Sequence, residues 1–290
     1  MNGWFTNVPD NWPPSESINP LYVSFHLNAK ASDKILSKQE NVDYFKRHEP
    51  IGCRDVYTAE SLRRKGIDAY FSGCLTLTIG DLYKTEECSD KVYIVDPYFK
   101  GSTHPHPVFK GIFLICTKPL MIKKIAKGLY HNTSFKSMLL AAQFYNIYTK
   151  LFSKEIIEHA EYIQHMNAEI AQMENDDARF NYADTLLKKY ARASLIITGR
   201  IHCALPSIGM GSRVVFTIRS TDNIESTCRY DGLKELFNVA YISNKNSYIE
   251  TECRQRINYV SSAKDIPIVS KYKQYKDALI ERCRTFINND

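Results

Sequence analysis

Two side chains suited to anion binding and proton transfer follow a short apolar run late in the sequence. Leu195 to Thr198 is β-branched, Gly199 interrupts it, and Arg200 and His202 follow at once. A second apolar turn and the β-branched run Val214 to Ile218 come next, which predicts strand, turn, short helix and strand. In a parallel α/β unit this turn lies at the carboxyl edge of the sheet, beside the amino end of the helix. An arginine and an imidazole there suit an anionic ligand.

The same spacing has a simpler interpretation. An arginine in a β-α turn is often a solvated surface residue, and a single histidine is more often a hydrogen-bonded structural group than a catalyst. Spacing alone therefore leaves both interpretations of this segment open.

A second arginine precedes another predicted helix. Asp55 is a favourable N-cap residue, basic residues follow near the predicted carboxyl end, and Gly66 is placed to end the helix. Arg54 stands directly before the cap, so its guanidinium and the free backbone N–H groups could share one anion. The alternative is a local ion pair between Arg54 and Asp55.

These segments together resemble the polysaccharide pyruvyl transferase family. The resemblance is carried by Pro-Ile-Gly-Cys-Arg-Asp from residue 50, Phe-Ser-Gly-Cys-Leu-Thr-Leu-Thr from residue 71, Ile-Ile-Thr-Gly-Arg-Ile-His-Cys-Ala-Leu-Pro from residue 196, and Gly-Met-Gly from residue 209. It covers most of residues 1–95 and 178–240 and is weak over 97–175. The motifs occur in the order that the family has.

The resemblance implies an α/β fold with a glycosyltransferase-B-like pair of Rossmann-like domains facing a central cleft. We expect the first domain at 1–88 and the second, which holds a helical lysine-rich segment and a C-terminal helix, at 89–290. Members of the family carry an earlier strand-loop-helix, so we expect the first domain to lack its first βα unit.

The resemblance also implies an activity, the transfer of a pyruvyl group from phosphoenolpyruvate to two hydroxyls of a hexose, giving a cyclic ketal. The acceptor would be a surface polysaccharide or its precursor. The substrate-binding residues implied are Arg54, Arg200, Ile201 and Arg229. We assign proton transfer to His202, since a histidine can give and accept a proton near neutral pH. No metal or other cofactor is needed if arginines neutralise the phosphate.

Two other functions stay open at this stage. A sugar-nucleotide-dependent glycosyltransferase of the same architecture would use the basic residues to bind a diphosphate. An inactive binding protein that keeps the fold is the other alternative.

The composition indicates a location. The eight cysteines form no Cys-x-x-Cys pair and no compact cluster with histidine, which argues against a zinc site or a disulfide scaffold. The amino terminus has no signal-peptide pattern, and no apolar stretch approaches the length of a membrane span. We therefore expect a cytoplasmic protein without a nucleic-acid partner.

Positive charge is concentrated in one segment. The net charge is +6, yet residues 97–154 hold nine lysines and no Asp or Glu. This segment predicts either contact with the anionic inner face of a membrane, beside a lipid-linked acceptor, or an ordinary solvated helix face. For membrane contact we expect Lys118, Lys123, Lys124 and Lys127 to take part.

Sequence periodicity predicts the remaining elements. These are strands at 2–6, 21–27 and 91–97, one helix over 31–48, mostly helical sequence over 118–175, a helix over 176–192, and a helix over 270–286 that returns to the first domain in such folds.

Overall fold

The computed structural model describes residues 9–165, 170, 172–173, 175–219, 228–243 and 246–289. The strand predicted at 2–6 lies outside the described residues. In chain order the described α-helices are α1 (Ala29–Leu36), α2 (Gln39–Arg47), α3 (Val56–Arg63), α4 (Gly80–Tyr83), α5 (Pro105–Thr117), α6 (Pro119–Tyr130), α7 (Phe135–Tyr148), α8 (Lys154–His159), α9 (Asp176–Ala191), α10 (Ile201–Gly209) and α11 (Tyr272–Asn289). The described strands are β1 (Ile51–Cys53), β2 (Ala69–Phe71), β3 (Val92–Val95), β4 (Glu161–Ile163), β5 (Leu195–Thr198), β6 (Val214–Arg219), β7 (Asn238–Ile242), β8 (Tyr248–Glu250) and β9 (Arg256–Ile257).

The chain divides into two compact units. The first comprises Met1–Ile79, Thr221–Leu236 and Ser270–Asp290, and the second comprises Gly80–Ser220 and Phe237–Val269. This division differs from a single boundary at residue 88, because two later segments belong to the first unit. The C-terminal helix α11 lies where it was predicted and is one of those segments.

In the first unit, β1 and β2 pair in parallel. The strand predicted over 21–27 is reduced to bridge contacts at Phe25 and His26, and Phe25 pairs in parallel with Cys53. Ser24 interrupts it with a φ of 56°, in the left-handed region that breaks an extended backbone. The segment still follows β1, since the Arg54 N–H donates to the Phe25 carbonyl at 2.8 Å.

The prediction of a single helix over 31–48 is wrong. The segment forms two helices, α1 and α2, because the backbone becomes extended at Lys38. The Ser37 hydroxyl donates to the Lys34 carbonyl at 2.8 Å, and the Asn41 amide donates to the Ile35 carbonyl at 2.8 Å. These side chains satisfy carbonyls at the end of α1, so the helix can stop there.

The second unit holds a seven-stranded sheet in the order β4-β3-β5-β6-β7-β8-β9. The first five strands are parallel, while β8 and β9 join antiparallel. A mostly parallel sheet with helices confirms the predicted α/β class. The predicted strand-turn-helix-strand is present as β5, α10 and β6, and the predicted strand at 91–97 is present as β3.

The expectation that 118–175 is mostly helical missed one strand. Helices α6, α7 and α8 are present, but β4 follows them and pairs with β3 in the register Tyr93 to Glu161. Three residues are too few to show a strand periodicity.

The strand order reverses at β3. The chain passes from β3 to β4 on one side of it, and the following strand β5 lies on its other side. In open parallel sheets, ligands bind outside the carboxyl ends of the strands at such a reversal. The ends of β3 and β5 therefore flank the expected binding position of this unit.

Helix α6 packs one face against the sheet. Ile122, Ile125, Ala126 and Leu129 are buried, and the helix contacts β4. A side chain added at Gly128 would place its Cβ 2.1 Å from the Cβ of Tyr162, so only glycine allows this close approach. Within the part of the chain that the structure describes, no helix is both long and apolar enough to cross a membrane.

We expect Gly128→Ala to destabilise the second unit by about 1–3 kcal/mol, the usual cost of overpacking. The added methyl must push helix α6 away from Tyr162. Thermal unfolding followed by circular dichroism measures this loss. Lys127→Ala, at the exposed neighbouring position, is the control, and equal melting temperatures for the two variants would contradict the close approach.

Candidate functional site

Asp96 joins the ends of three neighbouring strands in the second unit. It follows β3, its N–H donates to the Ile163 carbonyl of β4 at 3.1 Å, and its carbonyl accepts from the Gly199 N–H after β5 at 3.1 Å. A Cβ at Gly199 would lie 2.8 Å from that carbonyl, so glycine is required there. The backbone of Asp96 is left-handed, with a φ of 39°. Such strained residues often occur at functional sites.

The carboxylate of Asp96 holds Arg200. The Arg200 Nε donates to Oδ2 at 2.8 Å, and the Arg200 backbone N–H donates to the Thr198 hydroxyl at 3.0 Å. The arginine side chain is 47% exposed while that of Asp96 is 13% exposed. Among the described residues, the terminal guanidinium nitrogens have no hydrogen-bond partner. The guanidinium is thus fixed at one edge and offers its other edge to an anion.

His165 completes this cluster from the end of β4. Its backbone N–H donates to Asp96 Oδ2 at 3.0 Å, and its Nε2 lies 2.8 Å from the Tyr190 hydroxyl. Burial lowers the pKa of His165; the carboxylate of Asp96 opposes this shift and the charge of Arg200 adds to it. The imidazole is therefore neutral near pH 7.

The other two predicted residues of this segment open helix α10. Arg200 is the N-cap residue, Ile201 is the first helical residue and is partly buried, and His202 is the second, with an exposed side chain. The arginine side chain does not cap the helix, because a guanidinium has no acceptor for the helix N–H groups. The structure thus brings Arg200, Ile201 and His202 to the carboxyl edge of β5, as the sequence predicted.

In the first unit, Arg54 lies between β1 and α3 and is only 7% exposed. Its Nε is 3.8 Å from Asp55 Oδ2, and within the described residues this buried Nε has no hydrogen-bond partner. Burial lowers the pKa of the guanidinium, the nearby Asp55 opposes that shift, and the charge of Arg229 adds to it. The alternative of a local ion pair with Asp55 is thus present, but at 3.8 Å it is longer than a hydrogen bond.

Asp55 is committed to other partners. Its Oδ1 accepts from the Thr58 N–H at 2.9 Å, which confirms the predicted N-cap of α3. Its Oδ2 lies 2.5 Å from Nδ1 of His26, and both side chains are buried. Burial lowers the pKa of His26, Asp55 opposes the shift, and Arg54 adds to it. We therefore take His26 as a neutral imidazole that donates from Nδ1 to Asp55.

The α3 amino end is less open to an anion than the sequence suggested. The first N–H of the helix, at Val56, donates to the Asp231 carbonyl at 3.0 Å, and Asp55 uses the N–H of Thr58. These two N–H groups are therefore not available to an anion, whereas the Nε of Arg54 has no hydrogen-bond partner among the described residues.

Arg229 belongs to the same unit as Arg54. It lies in a 3-10 turn, Cys228–Tyr230, is exposed, and stacks on Tyr230 with 4.7 Å between the guanidinium carbon and the ring centre. Its charge acts on the pKa of both Arg54 and His26. The structure thus places two of the predicted arginines within electrostatic range of each other.

The comparison with protein families identifies the family of the chain. Residues 38–220, more than half of the chain, match the model of the family described as polysaccharide pyruvyl transferase. The chain belongs to this family. No curated protein and no solved structure matches the chain.

Membership in the polysaccharide pyruvyl transferase family implies a transferase with a saccharide acceptor. The matched range includes Arg54, Asp96, His165 and the segment from Arg200 to His202, whereas Arg229 and His26 lie outside it. Within the described residues, no group of three or more His, Cys, Asp or Glu side chains could hold a metal ion.

Three residues of these clusters were not predicted from the sequence of this pyruvyl transferase family member. They are Asp96, His165 and His26. Asp96 stands at the end of a correctly predicted strand and before Pro97, so its position at the sheet edge was available as a signal. His165 follows the unpredicted strand β4, and His26 lies within the strand predicted over 21–27, which the structure reduces to bridge contacts. Neither histidine has a local signal that separates it from a structural residue.

The lowered pKa values of His26 and His165 predict acid sensitivity. Below the ordinary value of 6.5 the unfolded chain binds protons that the folded chain does not, so the free energy of unfolding falls as the pH falls. In that pH range, each histidine contributes up to about 1.4 kcal/mol per pH unit to the slope of the free energy of unfolding against pH. Urea unfolding between about pH 7.5 and about pH 5.5 measures the slope.

We expect His165→Gln to reduce the pH dependence of the free energy of unfolding by up to about 1.4 kcal/mol per pH unit, which corresponds to one proton. His106→Gln, at an exposed position on α5, is the matched control. An unchanged slope in His165→Gln would mean that His165 is protonated equally in the folded and unfolded states.

Proposed function

We propose that this protein transfers a pyruvyl group from phosphoenolpyruvate to two hydroxyls of a hexose and forms a cyclic ketal. The observation that most supports the proposal is the guanidinium of Arg200, held through Nε by Asp96 at the edge where β3 and β5 end. Its outward edge suits a phosphate or carboxylate oxygen pair. The acceptor is a hexose of a surface polysaccharide or of its precursor.

Phosphoenolpyruvate carries two anionic groups, and the proposal gives each group basic partners. We assign Arg200, beside Ile201, and Arg54, with Arg229, as the basic residues that bind the donor. Arginine neutralises the phosphate, so the reaction needs no metal or other cofactor.

The reaction proceeds as an addition followed by a substitution. The first hexose hydroxyl attacks the carbon that carries the phosphate, while the adjacent methylene carbon gains a proton and becomes the methyl group. The second hydroxyl then replaces the phosphate, which leaves as inorganic phosphate with the proton balance met by that hydroxyl. We assign to the exposed His202 the proton donated to the methylene carbon, and the imidazole then accepts the proton that the first hydroxyl releases.

We also propose a cytoplasmic location. All eight cysteines are free thiols, and Cys88, Cys116 and Cys253 are exposed. Exposed free thiols are typical of proteins kept in a reducing compartment.

Incubation with phosphoenolpyruvate and a galactoside acceptor tests the activity. The expected products are a ketal, identified by mass and by its methyl proton resonance, and one phosphate per ketal. A shift in melting temperature separates the alternatives, since a ligand at a hundred times its Kd stabilises the native state by about 2.7 kcal/mol. Stabilisation by a sugar nucleotide and not by phosphoenolpyruvate would favour a glycosyltransferase. Binding of phosphoenolpyruvate without turnover on any acceptor would favour the inactive binding protein.

We expect Arg200→Lys to weaken phosphoenolpyruvate binding roughly ten- to a hundredfold, because lysine keeps the charge but cannot bind two oxygens side by side. Isothermal titration with phosphoenolpyruvate measures the loss, and circular dichroism verifies the fold. Lys189→Arg, at an exposed position of α9, is the control. Unchanged donor affinity in Arg200→Lys would remove this arginine from the donor site.

We expect His202→Ala to retain phosphoenolpyruvate binding and to lower kcat by a factor of about 10² to 10⁴, the usual range for loss of a general acid. The pH profile of kcat should lose the limb that reports the imidazole. His106→Ala is the matched exposed histidine. Full turnover with an unaltered profile in His202→Ala would show that His202 takes no part in proton transfer.

A further inference from the structure

Helix α5 exposes apolar side chains that a globular fold normally buries. Of its thirteen residues only Gly111 is buried, although most of the helix is apolar. Phe109 is 70% exposed, Phe113 is 67% exposed, and Leu120 at the start of α6 is 83% exposed. Single exposed apolar residues are ordinary, but two phenylalanines one helical turn apart form a stripe that calls for a partner.

Basic residues flank this stripe. Lys110 is exposed next to Phe109, and Leu120, Lys123 and Lys127 follow one another on the exposed side of α6, at three- and four-residue spacing. We name Phe109, Phe113, Leu120, Lys110, Lys123 and Lys127 together the α5–α6 surface. Among the described residues its three lysines form no ion pair.

The structure revises the set of lysines that the sequence suggested. Lys118 pairs with Glu158 at 2.7 Å and also donates to the Tyr145 hydroxyl. Lys124 donates to the Glu158 carbonyl at 2.6 Å. These two amines are used inside the unit, whereas those of Lys123 and Lys127 remain available to an outside anion.

We propose that the α5–α6 surface rests on an anionic lipid membrane. A helix that presents phenylalanine and leucine beside lysines, without an acidic residue, has the composition of an interfacial membrane helix. No Asp or Glu occurs anywhere from residue 97 to residue 154, so neither α5 nor α6 carries a negative side chain. A second copy of the chain fits less well, because pairing the same surface on two copies would bring their lysines together.

The proposal does not depend on the proposed pyruvyl transfer. If the surface binds a membrane, an acceptor attached to lipid would reach the protein at the membrane face. A free acceptor would be used equally well without lipid. None of the surface residues belongs to the donor site proposed above, so their replacement should leave turnover of a soluble galactoside unchanged.

Sedimentation with vesicles measures the binding. We expect the protein to sediment with vesicles of equal parts phosphatidylglycerol and phosphatidylcholine at low salt, and to stay in solution with phosphatidylcholine alone. Replacing Lys110, Lys123 and Lys127 with Gln should weaken partitioning on the order of a hundredfold, and added salt should weaken it as well. Replacing Phe109 and Phe113 with Gln should also reduce it strongly.

A tryptophan probe locates the contact. Vesicles of phosphatidylglycerol with brominated acyl chains should quench the tryptophan fluorescence of the Phe113→Trp variant more than that of the unsubstituted protein. Phe180→Trp is the matched control, because Phe180 is 73% exposed on α9, a helix of the same unit that begins with Asp176 and Asp177. Quenching of the Phe113 probe and not of the Phe180 probe supports the proposal.

Three results would overturn it. The first is equal recovery in solution with both vesicle types at low salt. The second is vesicle binding that persists unchanged in the lysine and phenylalanine variants. The third is a dimer, found by analytical ultracentrifugation, that the Phe109 and Phe113 changes abolish while lipid binding is absent, which would assign the surface to a second copy. Loss of ketal formation on a soluble acceptor would instead count against the proposed function, since that assay contains no lipid.

Discussion

The site in the second unit depends on the carboxylate and backbone of Asp96. This one residue receives the N–H of Gly199 and the Nε of Arg200, accepts the N–H of His165, and donates to the carbonyl of Ile163. Those bonds join the ends of β3, β4 and β5 at the position where the strand order reverses. A left-handed backbone costs about 1–3 kcal/mol in a residue other than glycine. The bonds offset that cost and fix where the guanidinium of Arg200 points.

The two predicted anion-binding arginines are held in opposite ways. Arg200 is half exposed and anchored by a short bond to a carboxylate, so its remaining donors are oriented before any ligand arrives. Arg54 is buried, 3.8 Å from a carboxylate that is committed to His26 and Thr58. A buried charge with an unsatisfied donor is costly, and that cost falls when an anion binds. The first arrangement favours geometric selection of a ligand, and the second favours affinity for its charge.

The sequence predicted what local patterns encode. Leu195 to Thr198 is apolar and β-branched and ends at a glycine, so the strand and its turn were found with correct bounds. Asp55 was recognised as a cap because capping is a contact within three residues. The pairing of Asp96 with Arg200 spans 104 residues and depends on which strands become neighbours, which no local pattern contains. Strand β4 is too short to show a period. Because this strand was not predicted, the position of His165 after it was not predicted either.

The lysine-rich segment shows that local sequence also predicts charge only in part. The sequence shows a stretch with nine lysines and no acidic residue, but it does not show which of the amines bind groups within the fold. Glu158 lies four residues beyond that stretch, yet its side chain and carbonyl engage Lys118 and Lys124. The inner face of α6 makes the close approach of Gly128 to Tyr162, and Lys123 and Lys127 lie on the exposed side of the helix. Packing against β4, and not the number of charges, therefore decides which lysines can meet a partner.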